Sequence, residues 1–184
     1  MNTSAFCLLL SAFFFAQQGT IEIRKGGKVV ATNRDDTTAA VRVLFIGNSL
    51  TFWNEMPWMT RRVAASLGAK PALSTEFSGM SGATLRQQWE HGKALRSIKE
   101  RTWNFVVLQP QSTEMIDRPE ETMKYARLFA AEIDAVRAKP VLFVTWVPPG
   151  RAMAQGELTA RYERLARETH ALLAPIGVAW EELR

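Results

Sequence analysis

Residues 41–57 read VRVLFIGNSLTFWNEMP. The run VRVLFI over 41–46 is short, largely apolar and stopped by Gly47, which predicts a strand covered on both faces. Asn48 and Ser49 follow at once. A helix over 56–67 then opens with Pro57, a favoured first-turn residue. The same handover from strand to helix recurs along the chain. Strands are expected at 72–77 (ALSTEF), 104–108 (NFVVL), 140–146 (PVLFVTW) and 176–180 (IGVAW). Helices are expected between them. Over 83–99, Leu85, Trp89, Gly92, Leu95 and Ile98 share one face. Over 119–137, Pro119, Glu120 and Glu121 form a first turn that complements the helix dipole. Over 157–173, Leu158, Tyr162, Leu165 and Leu172 make one stripe. No internal repeat is visible. This order predicts an α/β fold: three layers, α/β/α, around a flavodoxin-like five-stranded parallel sheet. Ligands of such sheets bind at the carboxyl ends of the strands, so candidate residues can be tested by position.

Composition narrows the class. The chain has 184 residues, about one domain, with 47% hydrophobic and 22% charged residues, as in ordinary globular proteins. Its net charge is +5, but no block of five like charges occurs. That describes a basic solvated surface and argues against a nucleic-acid partner. The single cysteine, Cys7, allows neither a disulfide framework nor a CxxC metal pair. With only His91 and His170 in the chain, no metal or cofactor is expected.

Residues 5–16, AFCLLLSAFFFA, are too few to span a bilayer as a helix and have the length of a signal-peptide apolar region. Polar Gln17 and Gln18 follow. A signal peptide over 1–16, cleaved after Ala16, is expected, and with it a secreted or periplasmic protein. The segment before the apolar run has no Lys or Arg, and Phe14 stands where a small residue is usual. Over 17–40, IEIR and KVVA flank Gly26-Gly27 as a small hairpin, and Asn33 to Thr38 make a polar linker. The main domain is expected over 41–184.

Three strand ends carry candidate chemistry. Ser49 follows the first strand just ahead of a helix, which suits a nucleophile whose backbone N–H groups face a developing oxyanion. It equally suits a helix-capping serine. The surroundings are neither GxSxG nor GxxxxGK[ST]. After the second strand, EFSGMSGATL places Gly82 where a backbone N–H can approach a ligand without a Cβ in the way, or where a turn needs it. After the third, VVLQPQS presents Gln109 and Gln111 around Pro110. A primary amide there can donate to an oxyanion, or simply face solvent.

In this order, the three blocks resemble the SGNH (GDSL-like) hydrolase superfamily over residues 41–180. The family's G-D-S-L block aligns with Gly47-Asn48-Ser49-Leu50, so Ser49 matches the nucleophile and Asn48 replaces Asp. The glycine that donates an N–H to the oxyanion hole matches Gly82. In the G-x-N-D block, Gln111 falls at Asn and Ser112 at Asp. This is similar to a bacterial subgroup with Gln there, as is Thr145-Trp146. The resemblance implies a serine esterase with Ser49 as nucleophile, Gly82 and Gln111 as oxyanion donors, and a small-molecule or carbohydrate ester as substrate. Asn48, Gln109, Trp53 and Trp146 are expected at the substrate rim. The two edge tryptophans could stack on a sugar ring, while Trp89, Trp103 and Trp180 are expected in the core.

In that family the base is the His of a D-x-x-H motif after strand five. No D-x-x-H occurs in residues 1–184, whose last Asp is Asp134. His170 lies near the far end of its helix, on the order of 20 Å from its start at ~1.5 Å per residue. That is the wrong edge for Ser49. His91 falls ~12 Å along its own helix. The expectation is a domain lacking its C-terminal helix and the Asp–His pair, with little ester hydrolysis. The competing class is a non-catalytic module that binds glycans or acyl groups. A flavodoxin-like phosphoacceptor needs carboxylates where Asn48 and Gln109 stand.

Overall fold

In the computed structural model, which describes residues 41–183, five strands pair in parallel in the order β2-β1-β3-β4-β5. In chain order the elements are β1 (Val41–Gly47), α1 (Ser49–Phe52), α2 (Met56–Ser66), β2 (Leu73–Gly79), α3 (Leu85–His91), α4 (Lys93–Glu100), β3 (Phe105–Leu108), α5 (Glu114–Asp117), α6 (Pro119–Ala135), β4 (Lys139–Phe143), α7 (Gln155–Thr169), β5 (Leu172–Ala174) and α8 (Ile176–Glu182). A 3-10 turn, Trp53–Glu55, joins α1 to α2. The expected signal peptide and the 17–40 hairpin lie outside the described residues. Among the described residues, no helix is long and apolar enough to cross a membrane.

β1 lies inside the sheet, between β2 and β3, and both its faces are apolar. Leu44 and Ile46 point to one side, where Val106, Leu108 and Leu142 join side chains from α3, α4, α6 and α7. Val41, Val43 and Phe45 point to the other, where Val107, Val141 and Phe143 meet α2 and α8. This two-sided burial is what the unbroken apolar runs predict. The β1–β2 register runs from Val41↔Leu73 to Gly47↔Gly79, so the first two strands end level at the carboxyl edge.

The structure corrects several sequence expectations. The 83–99 segment is two helices, because Gly92 takes a left-handed conformation (φ 76°) that caps α3 and starts α4. Without a Cβ, glycine adopts that conformation at little cost. α7 stops at Thr169, where His170 turns left-handed (φ 50°) and Ala171 N–H donates to Ala166 O. This frees LLA to pair with β4, so the fifth strand is Leu172–Ala174. The run IGVAW, expected as that strand, is helical instead, so a helix does follow β5. Gly177 lets it pack so closely that a Cβ there would sit 2.1 Å from Thr145 O. Its N–H donates to Val144 O. β4 ends at Phe143, and Thr145 and Trp146 lie beyond it.

Candidate active site

At the end of β1 the chain turns through Asn48 into α1. The Asn48 Oδ1 accepts the Leu50 N–H at 3.1 Å, so Asn48 is the N-cap and Ser49 the first helical residue. The capping duty therefore does not fall on the serine. Among the described residues the Ser49 hydroxyl has no hydrogen-bond partner, and the residue is half-buried.

Two amides weld this turn to its neighbours. Asn48 Nδ2 donates to Ala83 O at 3.1 Å, joining the nucleophile turn to the loop that carries Gly82. Gln109 Oε1 accepts both Asn48 N–H, at 2.9 Å, and Thr51 Oγ1, at 2.8 Å. The Gln109 Nε2 donates to Pro110 O, and Gln88 Nε2 donates to Gly47 O. Asn48 and Gln109 are 2% and 1% exposed, so neither is a rim residue; both are buried struts behind Ser49.

Gly82 is exposed in a left-handed conformation (φ 65°), with no atom within 4 Å of where a Cβ would stand. Gln111 is half-buried and its amide is oriented by its own turn. Oε1 accepts Thr113 N–H at 3.0 Å and Thr113 Oγ1 at 3.3 Å, while Nε2 donates to Ser112 Oγ at 3.0 Å. A primary amide has two N–H donors, so one remains for a ligand. Gly82 and Gln111 line the same cleft, of about 590 Å³. Its other walls are Thr84, Arg86, Gln87, Glu90, Thr113, Arg118 and Glu121, with no apolar side chain among them. The charges are matched in pairs: Arg86 to Glu90 at 2.8 Å and to Glu121 at 3.2 Å, and Arg118 to Glu121 at 3.7 Å.

Beneath this cleft lies Glu114, 1% exposed. Its carboxylate accepts Leu85 N–H at 3.2 and 3.3 Å and Gln111 N–H at 2.9 Å. Burial raises its pKa above the ordinary glutamate value, and the two N–H groups pull part of the way back.

The fold and this edge can be compared with known proteins. No protein-family profile matches the sequence, and no curated protein matches it. Solved structures do. A protein from Slackia heliotrinireducens assigned to the SGNH hydrolases superposes with a TM-score of 0.65 at 25% identity, covering 78% of this chain and 83% of that one. The chain has the SGNH-hydrolase fold. AlinE4, an SGNH-hydrolase family esterase, matches at 19% identity and a TM-score of 0.57, over 74% of this chain and 76% of its own. An acetyl-xylooligosaccharide esterase from Geobacillus matches at 15% identity and a TM-score of 0.53, over 73% and 75%. The last two likenesses are of fold.

Within the SGNH fold, other sequence-predicted residues fall in mixed places. Trp53 is 69% exposed in the 3-10 turn. Trp146 is half-buried and packs at a tilt, with ring centroids 5.7 Å apart, against Trp180, which is 50% exposed and not a core residue. The two line a second, smaller cleft of about 190 Å³ with Pro148, Arg151 and Gln155. Trp103 is buried and Trp89 packs edge-on against Phe129 at 5.2 Å. His170 lies two residues before β5, at the amino edge, and His91 ends α3. Among the described residues no cluster of three or more His, Cys, Asp or Glu could hold a metal.

Sequence reasoning passed over Glu114 and the N-cap Thr84. Both had local signals. Glu114 follows Gln111 by three residues, just before apolar Met115 and Ile116. Thr84 is followed by Gln87, and the two form a complete capping box at the head of α3.

Proposed function

We propose that Ser49 is the nucleophile of a carboxylic ester hydrolase, with the Gly82 N–H and the Gln111 amide receiving the oxyanion. The observation that carries this reading is the division of labour at the first turn. Asn48 caps the helix, Gln109 and Ala83 fix Asn48, and among the described residues the Ser49 hydroxyl is left without a structural partner. In the reaction Ser49 Oγ bonds to the acyl carbon and loses its proton to a base. The C–O bond to the alcohol breaks and the alcohol leaves with a proton. Water then cleaves the acyl-serine to a carboxylic acid and restores the hydroxyl. Donors placed at the oxyanion supply much of the acceleration in such steps.

The cleft beside Gly82 and Gln111 favours a short acyl group on a hydroxyl-rich alcohol such as a carbohydrate. Its walls are side chains with hydrogen-bonding groups, and a long acyl chain would find little apolar surface there. The likeness to an acetyl-xylooligosaccharide esterase agrees with that choice.

Among the described residues, no side chain is hydrogen-bonded to Ser49 Oγ to take its proton. Residues 1–184 contain no D-x-x-H, and neither histidine reaches this edge. Turnover by this chain alone is therefore expected to be low. A second reading, a non-catalytic module that binds acylated glycans, is favoured by that same observation. An alkyl fluorophosphonate, applied with imidazole as a dissolved base, separates the two. A Ser49-linked adduct in the mass spectrum, absent from Ser49→Ala, is the expected result. No adduct, combined with binding of an acetylated oligosaccharide, would overturn the esterase reading in favour of the module.

A further inference from the structure

The oxyanion donors assigned above sit on two separate loops, and a hydrogen-bonded carboxylate bridges them. Glu114 belongs to the four-residue helix α5, yet its oxygens reach Leu85 N–H, 29 positions away, as well as Gln111 N–H in its own turn. Leu85 is the first residue of α3, three beyond Gly82. Gln111 is the other donor. One side chain thus ties the loop of Gly82 to the loop of Gln111 from below, with both N–H groups on a single carboxylate.

We propose that Glu114 is the positioning residue that sets the separation of the two oxyanion donors. Three features make it suited to the task. It is 1% exposed, so water does not compete for its oxygens. Its own helix is anchored twice more, by Thr122 Oγ1 donating to Glu114 O at 3.1 Å and by Arg161 Nη1 donating to Met115 O at 2.9 Å. Both partners are backbone N–H groups, so the constraint passes to the main chain of each loop and not to a mobile side-chain tip. Burying a carboxylate is unfavourable, and a pair of loops needing only to pack could be joined by an apolar residue at lower cost. What a carboxylate adds is two acceptor oxygens in a fixed plane.

This inference rests on the esterase reading for its consequence, and on hydrogen exchange for its geometry, so the two can fail separately. In the wild-type chain, Leu85 and Gln111 amides are expected to exchange slowly. In Glu114→Gln, where one acceptor oxygen becomes a donor, at least one of the two is expected to exchange on the order of tenfold or more faster, with distant β1 and β4 amides unchanged. In the fluorophosphonate assay, Gln111→Ala is expected to slow Ser49 labelling about 100-fold. Glu114→Gln is expected to slow it on the order of 10- to 100-fold. The double variant should be slower than Gln111→Ala by clearly less than the Glu114→Gln factor, because Glu114 then places only the Gly82 N–H. Unchanged exchange at both amides in Glu114→Gln overturns the proposal, whatever the labelling shows. Fully multiplicative losses in the double variant overturn it too, since they mean a general structural effect. A wild-type chain that fails to label at all, with exchange as expected, overturns the esterase reading and leaves Glu114 as the tie between the loops.

Discussion

Gly47→Ala tests whether the nucleophile turn depends on the close approach that a glycine allows. A Cβ at residue 47 would lie 2.4 Å from Thr51 Oγ1, 2.7 Å from Gln109 Oε1 and 3.0 Å from Gln109 Cβ. Neither neighbour can yield freely. Gln109 Oε1 is held by Asn48 N–H and by Thr51 Oγ1, and all three residues are buried. Relieving the clash means pulling the Gln109 carbonyl away from two buried donors. Each buried donor left unpaired costs ~1–3 kcal/mol, and overpacking by one methyl costs ~1–3 kcal/mol. One displacement accounts for both effects, so they do not sum, and a net loss of ~3 kcal/mol is expected. The opposing gain from a less flexible unfolded chain is only ~0.4–1 kcal/mol. Urea denaturation should show a lower midpoint at an unchanged slope. Because Thr51 Oγ1 is the nearest obstacle, Thr51→Ala should recover part of the loss. The pair should then be coupled by about 1 kcal/mol or more. A loss under ~1 kcal/mol, or additive effects in the double variant, would refute the packing argument and the role given to Gln109.

Two further outcomes follow from other parts of the structure. Burial raises the Glu114 pKa above its ordinary 4.5, so the folded chain holds this proton more tightly than the unfolded chain does. Its contribution to stability is present in full below that value and is lost as pH rises through the raised pKa. Relative to Glu114→Gln, the wild-type chain should therefore lose stability as pH rises from 4.5 through the raised pKa. A pH series of denaturation curves that shows the difference constant or growing would contradict this sign. The second outcome is a contrast between glycines. Gly177→Ala drives a Cβ to 2.1 Å from Thr145 O and should destabilise by more than ~2 kcal/mol. Gly156→Ala, near the start of α7 with nothing within 4 Å, should stabilise by about 0.5 kcal/mol. Thermal melts in the reverse order would show that the close packing of α8 on the 144–146 segment is wrong.

Much of the architecture was legible in the chain because it follows from local pattern. Short apolar runs at 41–46, 72–77, 104–108 and 140–146 can bury both faces only in a parallel sheet covered by helices. The strand-to-turn handovers then put Ser49, Gly82 and Gln111 at one edge. IGVAW reads as a strand in the sequence yet folds as a helix, because a five-residue apolar run has no period long enough to separate the two. Its state is decided by Gly177 against Thr145, a contact between residues far apart in sequence. The break at Gly92 was hidden for a related reason: its apolar neighbours keep a helical spacing on both sides of the turn.

The sequence by itself determined four of the five strands and put Ser49, Gly82 and Gln111 just after the first three of them. Only the tertiary structure decided what the neighbouring polar residues do. Asn48 and Gln109 looked like rim residues because polar side chains at a strand end usually face solvent. They are buried because each finds partners on another loop: Ala83 O for Asn48, and Asn48 N–H and Thr51 Oγ1 for Gln109. Glu114 became visible for the same reason. A buried polar group is tolerated only when its hydrogen bonds are met, and the groups that meet them are brought within reach by the fold.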